Sequence, residues 1–305
     1  MHIDINDYAD NKIWVRYYFL KYLPKFLYSW AASYFYKMKT NRTISLKHPI
    51  TFADKINYLK LYNATRQKML LTDKLIAKDI ITKKFPELNV AKTFQVASSF
   101  EELDFSKCPN TFIIKTNHAC KTNIIIYDKD AISKEELLKY RKYYKKVLKV
   151  NYAYWGTLEL QYKNIKPLIY TEELLVSKNP LYDMHEYQVY CINGEVELIQ
   201  LNRFFDGDKQ MTLTFDKNFE EPKFFPILKP LYYKINYDFN FPNKDKIIKY
   251  AKLLSSEFTF VRVDFFEFDN ILYFGEMTFT PNECILYFEP EKYNYILGEK
   301  INIGM

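Results

Sequence analysis

The stretch FVRVDFFEFDNILYFGEMTFTP, Phe260 to Pro281, consists of two β-branched and aromatic runs joined at Asp269-Asn270. That composition around a turn-forming pair predicts a β-hairpin. Successive side chains of a strand point to opposite faces. Arg262 and Asp264 therefore share one face of the first strand, while Val261, Val263 and Phe265 take the other. Strict alternation in the second strand puts Phe274, Glu276 and Thr278 together. Charges in so apolar a setting are costly unless something pairs with them. Two readings meet that demand. One is a structural arginine–carboxylate cluster on a half-exposed sheet. The other is a site for Mg²⁺, which takes a few carboxylates, waters and substrate phosphates, with Arg262 forked onto phosphate oxygens.

Upstream, the helix KDKIIKYAKLLSSE leads into this hairpin, and strand-like runs fill residues 166–215: PLIYTEELLV, EYQVYCI and VELIQLNRF, the last two joined at Asn193-Gly194. TFIIK and NIIIYD are short β-branched runs separated by the polar loop TNHACKT, and Ser133 with Glu136 forms a capping box ahead of a basic helix. Before them, DKLIAKDIITKKF reads as a helix stopped by Pro86, and TFADKINYLKLYN as one capped by Thr51. Residues 12–40 read as helix broken near Pro24, since apolar positions recur at three and four. Helices mixed with antiparallel strands indicate an α+β protein. The expected division is a helical, basic and aromatic region over residues 1–72, a part with the polar loop over 73–172, and a part with the hairpin over 173–305.

A chain of 305 residues is long enough for two modest cores. Its 28 Tyr and 25 Phe beside only 6 Gly follow from codons rich in A and T, so they do not by themselves mark a base-stacking surface. Cys108, Cys120, Cys191 and Cys284 lack metal-ligand spacing, which fits a reduced, cytoplasmic setting. Arg16, Lys21, Pro24 and Lys25 interrupt the most apolar run and exclude a comfortable membrane span there. Of the net charge of +7, eight basic residues fall between Lys12 and Lys47, with no acidic residue between Asn11 and Ala53. Such a segment either packs on the main domain with its lysines solvated or rests on an anionic membrane face. No nucleic-acid-binding module accompanies it.

The ordered blocks HPITFADKINYLKLYN, LLTDKLIAKDII, FIIKTNHACKTNIII, IKPLIYTEELL, EYQVYCINGEVELIQLNR and FVRVDFFEFDNILYFGEMTFTPNE resemble those of the ATP-grasp superfamily. They are most similar to its TupA-like branch, associated with teichuronopeptide and other cell-surface polysaccharide biosynthesis. The resemblance runs from about Pro49 to Gly298. It implies two α+β subdomains sandwiching ATP behind a short helical N-terminal region. By the same resemblance Lys74 and Lys115 reach the nucleotide phosphates, and the backbone of Glu172, Glu173 and Leu174 reads adenine. Glu186 accepts from the ribose hydroxyls, and Arg203 stands near the phosphate end. Arg262 binds phosphate, Asp264, Glu276 and Thr278 are the metal positions, and His118 contacts phosphate or acceptor.

Two positions depart from the pattern. The phosphate loop of the superfamily is glycine-rich so that backbone N–H groups approach the phosphates. Here the loop HACKT holds none, and Lys121 stands where a small residue is usual, offering side-chain charge instead. Thr278 replaces the usual Asn, as is familiar in the TupA-like branch. The activity implied is a Mg²⁺- and ATP-dependent carboxylate–amine ligase working through an acyl phosphate. Its partners would be a small or lipid-linked sugar acceptor and an amine or amino acid. Alternatives are a kinase acting on such an acceptor, a glycosyltransferase-type component of the same biosynthesis, or a membrane-surface adaptor.

Overall fold

Proline has no backbone N–H to continue a helix, and Pro24 divides the N-terminal helical run into α1 (Asn11–Tyr22) and α2 (Tyr28–Thr40), linked by a 3₁₀ turn. The computed structural model describes residues 11–177, 184–205, 209–226 and 241–304. Helix α3 (Phe52–Tyr62) opens with a full capping box, the Thr51 side chain accepting from Asp54 N–H and the Asp54 carboxylate accepting from Thr51 N–H. A short helix, α4 (Arg66–Thr72), follows, capped by Thr65. Sequence reading passed over it because seven residues carry too little periodicity to separate from the next helix. Asp73 ends α4 and caps α5 (Lys74–Lys84), accepting from the N–H groups of Leu75 and Ile76.

Strands β1 (Thr93–Ala97), β2 (Phe112–Thr116) and β3 (Ile124–Ile126) precede α6 (Lys134–Val147), which starts at the predicted Ser133–Glu136 box. Then come β4 (Ile169–Glu173), β5 (His185–Ile192), β6 (Glu195–Phe205), β7 (Lys209–Phe215), β8 (Phe225–Pro226) and α7 (Lys244–Ser255). The chain closes with β9 (Phe260–Phe268), β10 (Ile271–Thr278), β11 (Phe288–Glu289) and α8 (Lys292–Lys300). The smaller sheet has the order β1-β4-β2-β3 and the larger β10-β9-β5-β6-β7, with β11 and β8 forming a separate pair. Among the described residues every pairing between these strands is antiparallel. Both predicted hairpin turns are left-handed at both central residues, with φ of 51° and 79° at Asn193-Gly194 and 50° and 64° at Asp269-Asn270.

The larger apolar clusters organise these layers. Tyr17 and Leu20 of α1 and Tyr28, Ala31 and Ala32 of α2 are buried with Phe112, Ile114 and Tyr144 of the smaller sheet and α6. The N-terminal pair therefore belongs to that lobe's core. On one face of the larger sheet, Val189, Ile199, Val263 and Phe265 pack against Ala77 and Ile81 of α5 and Ile247 and Ala251 of α7. On its other face, Phe52, Ile56 and Leu59 of α3 cover Tyr190, Leu198 and Phe260 at one end. Further along that face come the polar side chains of Glu186, Gln188, Asn202 and Asp264, with Phe266 beyond them.

Candidate functional site

Register in the larger sheet decides which side chains meet. Asp264 lies opposite Glu276 and Arg262 opposite Thr278, so these four share one face. Phe274, expected beside them, is instead opposite Phe265 and buried in the core on the other side. A bulge between Phe274 and Glu276 inserts Gly275 and shifts the alternation by one. A Cβ at Gly275 would lie 2.8 Å from the Asp264 carbonyl oxygen and 2.9 Å from the Phe266 ring, so only glycine fits without displacement.

Arg262 grips Asp264 with two parallel hydrogen bonds, Nε to Oδ1 at 2.7 Å and a terminal nitrogen to Oδ2 at 2.5 Å. The same guanidinium donates to the Thr278 hydroxyl at 3.3 Å, and Thr278 donates to Glu276 at 2.9 Å. From α5, Lys74 Nζ approaches Glu276 to 3.7 Å and donates to the Ala119 carbonyl at 2.8 Å. Burial pushes Asp264 up and Glu276 adds to that rise, while the guanidinium that holds the carboxylate in two hydrogen bonds opposes it. For Glu276, burial is outweighed by Lys74 and Arg262, which hold it below the usual carboxylate range.

A second ion cluster faces this one. Glu172 of β4 is 3% exposed and receives Lys115 Nζ from β2 at 2.6 Å and Lys78 Nζ from α5. Burial opposes ionisation of Glu172, but the two lysines prevail and lower its pKa. The Glu172 side chain thus anchors both lysines between sheet and helix. Glu173 is exposed and Leu174 follows in coil, at the end of the strand whose backbone was expected to read adenine. Glu186 of β5 sits on the Asp264 face and accepts from Asn202 at 2.8 Å.

Three expected residues lie elsewhere or in unexpected settings. Arg203 pairs with His185, which in turn faces Glu267, so its side chain belongs to the sheet face opposite Asp264 and Glu276. The register does not bring it to the cluster. His118 is 1% exposed, with Nε2 3.3 Å from the Val147 carbonyl and Nδ1 without a hydrogen-bond partner among the described residues. Burial lowers its pKa to about 4, and Lys74 nearby adds to the effect, so the imidazole is neutral at pH 7. Lys121 is exposed and has φ of 55°, the left-handed region that glycine ordinarily fills. The loop therefore keeps one glycine-like backbone conformation without glycine.

Sequence reading missed the clamp that sets this loop. Asn117, fully buried, donates to Asp73 at 2.8 Å and to the Lys166 carbonyl at 3.1 Å, and accepts from Leu168 N–H at 2.8 Å. It ties the loop after β2 to the start of α5. Lys78 was also missed, although its i,i+4 spacing from Lys74 in TDKLIAK was a usable signal.

The two clusters set four cations, Lys74, Lys78, Lys115 and Arg262, against three carboxylates, Glu172, Asp264 and Glu276. Such a surplus suits an anionic ligand. Asp264 and Glu276 are hard oxygen donors on adjacent strands, and a carboxylate has about four lone-pair sites, so the Arg262 contact leaves room for a cation. The donor set fits a magnesium ion, with Thr278 supplying a neutral oxygen.

Two α+β lobes, each built on an antiparallel sheet, are the architecture of the ATP-grasp fold. The chain matches the TupA-like ATP-grasp family over residues 54–302 and belongs to it. Curated proteins give no match. Among solved structures, D-alanine–D-alanine ligase from Bacillus anthracis complexed with ATP is 15% identical at a TM-score of 0.42, covering 68% of this chain and 55% of the ligase. The Helicobacter pylori D-alanine–D-alanine ligase is 14% identical at 0.40, covering 76% and 62%. The ATP-grasp ligase PsnB with minimal precursor, Mg and ADP is 11% identical at 0.41, covering 78% and 62%. The chain thus spans about six-tenths of the length of these structures.

Proposed function

We propose that this chain is a Mg²⁺- and ATP-dependent ligase that activates a carboxylate as an acyl phosphate and joins it to an amine. The acceptor would be a cell-surface polysaccharide sugar or its precursor, small or lipid-linked, with an amine or amino acid as co-substrate. The observation that carries this reading is the convergence of Lys74, Lys115 and Arg262, from three different elements, on the carboxylates Glu172, Asp264 and Glu276.

Lys74 and Lys115 are assigned to the nucleotide phosphates, with Lys78 holding Glu172 in place. The backbone from Glu172 to Leu174 would meet adenine, and Glu186 would accept from ribose hydroxyls. Asp264, Glu276 and Thr278 would hold Mg²⁺, which when bound neutralises charge on the transferring phosphoryl oxygens. Arg262 stays fully charged and orients both Asp264 and the phosphoryl group. Neutral His118 acts as a fixed imidazole behind the loop, and exposed Lys121 supplies charge over the phosphates. Loop residues 118–122 would exclude water from the acyl phosphate.

Incubation with ATP, uronic or amino-sugar acceptors and candidate amines should release ADP and phosphate together. An acceptor-dependent phosphorylated product without phosphate release would favour the kinase reading. A melting temperature unmoved by saturating Mg·ATP would sink both.

The same reading locates the enzyme at the inner face of the membrane. In the α1–α2 region Tyr22, Phe26, Trp30 and Met38 are 73%, 82%, 54% and 68% exposed, in a segment without acidic residues. Exposed aromatics beside lysines favour the interface of an anionic bilayer. No described helix is long and apolar enough to cross one. Co-sedimentation with phosphatidylglycerol vesicles but not phosphatidylcholine vesicles, lost in the Phe26→Ser, Trp30→Ser variant, is the expected result. Equal binding to both vesicles, or to neither, would count against it.

A further inference from the structure

The acid-free N-terminal segment has a counterpart far away in the chain. Between Glu136 and Glu159 stand Lys139, Arg141, Lys142, Lys145, Lys146 and Lys149, and no acidic residue. All but Lys149, which sits on the turn that ends it, belong to α6, a helix that buries Tyr143, Tyr144 and Val147 in the core of the smaller lobe. At about 100° per residue, Leu138, Lys142, Lys145 and Lys149 fall in one row on the side opposite that core. All four are exposed, Leu138 to 52%. Lys139 pairs with Glu135 at 3.1 Å and Arg141 with Glu101 at 2.5 Å. Lys142, Lys145 and Lys149 form no ion pair among the described residues.

Contacts join this row to the N-terminal helices. Two residues beyond Lys149, the Asn151 backbone N–H donates to the Tyr17 hydroxyl at 3.2 Å, and its side chain donates to the Lys163 carbonyl at 2.8 Å. Burial and the Tyr154 hydroxyl raise the pKa of Tyr28, and exposed Lys163 and Lys25 both oppose that rise, so both ammonium groups stand near it. Lys21 Nζ lies 5.5 Å from the centre of the Tyr17 ring. Lys149, Lys163, Lys25 and Lys21 thus gather from three segments remote in sequence. Next to Lys21 and Lys25 along the chain are Tyr22 and Phe26, the large rings exposed at the α1–α2 junction.

Like charges three and four apart on a helix repel one another. An anionic surface laid against them turns that repulsion into attraction. A dissolved polyanion would meet the lysines but leave Tyr22, Phe26 and Leu138 in water. An anionic bilayer accommodates both kinds of side chain, because rings favour its interface and lysines its headgroups.

We infer that Lys142, Lys145, Lys149 and Lys163 form a headgroup-binding face through which the smaller lobe docks on an anionic bilayer, beside the exposed rings of α1 and α2. This face presupposes the membrane contact of Phe26 and Trp30 and adds to it a second, electrostatic contact. It also sets an orientation, in which the smaller lobe and not the larger sheet meets the lipid.

Binding isotherms of the full chain on phosphatidylglycerol vesicles test this. The Lys142→Gln, Lys145→Gln, Lys149→Gln variant should bind about tenfold more weakly or worse, and the same three positions changed to Arg should bind like the unaltered chain. Binding of the unaltered chain should fall as salt is raised. Undiminished binding by the Gln variant overturns the headgroup face and leaves the Phe26–Trp30 contact standing. No binding by the unaltered chain overturns both. Tighter binding to dextran sulfate than to vesicles, at equal concentrations of anionic groups, would give the lysines to a soluble polyanion and also overturn the inference. The substituted side chains are exposed, so all three proteins should melt alike. Should the Gln variant fail to fold, lysine acetylation of the unaltered protein, read by mass spectrometry, decides the matter. Vesicles should protect Lys142, Lys145, Lys149 and Lys163 but not Lys246, exposed on α7. Equal protection of all five, or of none, counts against the face.

Discussion

At the scale of single residues, Asp264 and Glu276 occupy paired positions with unequal surroundings. Asp264 is buried under a bidentate arginine, whereas the Glu276 side chain is 35% exposed. Removing one partner of a buried pair leaves an uncompensated charge, so Asp264→Ala should cost about 3 kcal/mol or more in urea unfolding. Glu276→Gln should cost about 1 kcal/mol or less yet abolish the Mg²⁺-dependent part of the ATP-induced melting shift. Equal destabilisation by both would show the pair to be structural. His118 gives a prediction in pH. Its folded pKa of about 4 lies below the ordinary 6.5, so the unfolded chain takes up the proton first as pH falls. Stability contributed by the neutral imidazole is complete above about pH 6.5 and is lost progressively towards about pH 4, by up to roughly 3 kcal/mol. The His118→Asn variant should show a correspondingly flatter stability profile across that window. Parallel profiles for the two proteins would contradict the burial argument.

Among the elements, β10 and α5 carry the site, and each depends on one local device. In β10 it is the Gly275 bulge, which aims Phe274 into the core and Glu276 into the cleft. Gly275→Ala would press a methyl against the Asp264 carbonyl and should cost about 2 kcal/mol, read by thermal unfolding. In α5 it is Asp73, which accepts two backbone N–H groups and the Asn117 amide. Asn117→Ala would remove the side-chain link between Asp73 and the loop after β2. Amide exchange in residues 117–122 should then rise about tenfold or more, while exchange in β9 stays unchanged. Uniform acceleration throughout would show that Asn117 supports the global fold instead of the loop.

For the whole molecule, the N-terminal pair is both core and surface. Tyr17, Leu20 and Tyr28 are buried against the smaller lobe while Phe26 and Trp30 face outward. Deleting residues 1–45 should therefore lower the melting temperature by about 5 °C or more, and membrane binding has to be tested with point substitutions on the exposed face. A truncated chain that melts like the full one would show this helical pair to be an appendage.

Much of this architecture was legible in the chain alone. The helix caps at Thr51 and Ser133, the break at Pro24 and the hairpins at Asn193-Gly194 and Asp269-Asn270 follow from local backbone preferences, which neighbours in sequence settle. The same holds for Arg262 and Asp264, two apart on one unbroken strand. What alternation could not supply was register. One inserted residue at Gly275 reversed the expected side of Phe274, and cross-strand pairing put Arg203 on the core face. Lys78 and Asn117 likewise depend on partners far away in the chain, Glu172 and Lys166 among them. The sequence by itself determined the longer helices before the hairpin, the two hairpin turns and the family blocks, because those rest on short-range sterics and hydrogen bonding. Tertiary structure alone decided which charges meet and which remain unpaired, because burial and counter-charge are set by surfaces that come together only on folding.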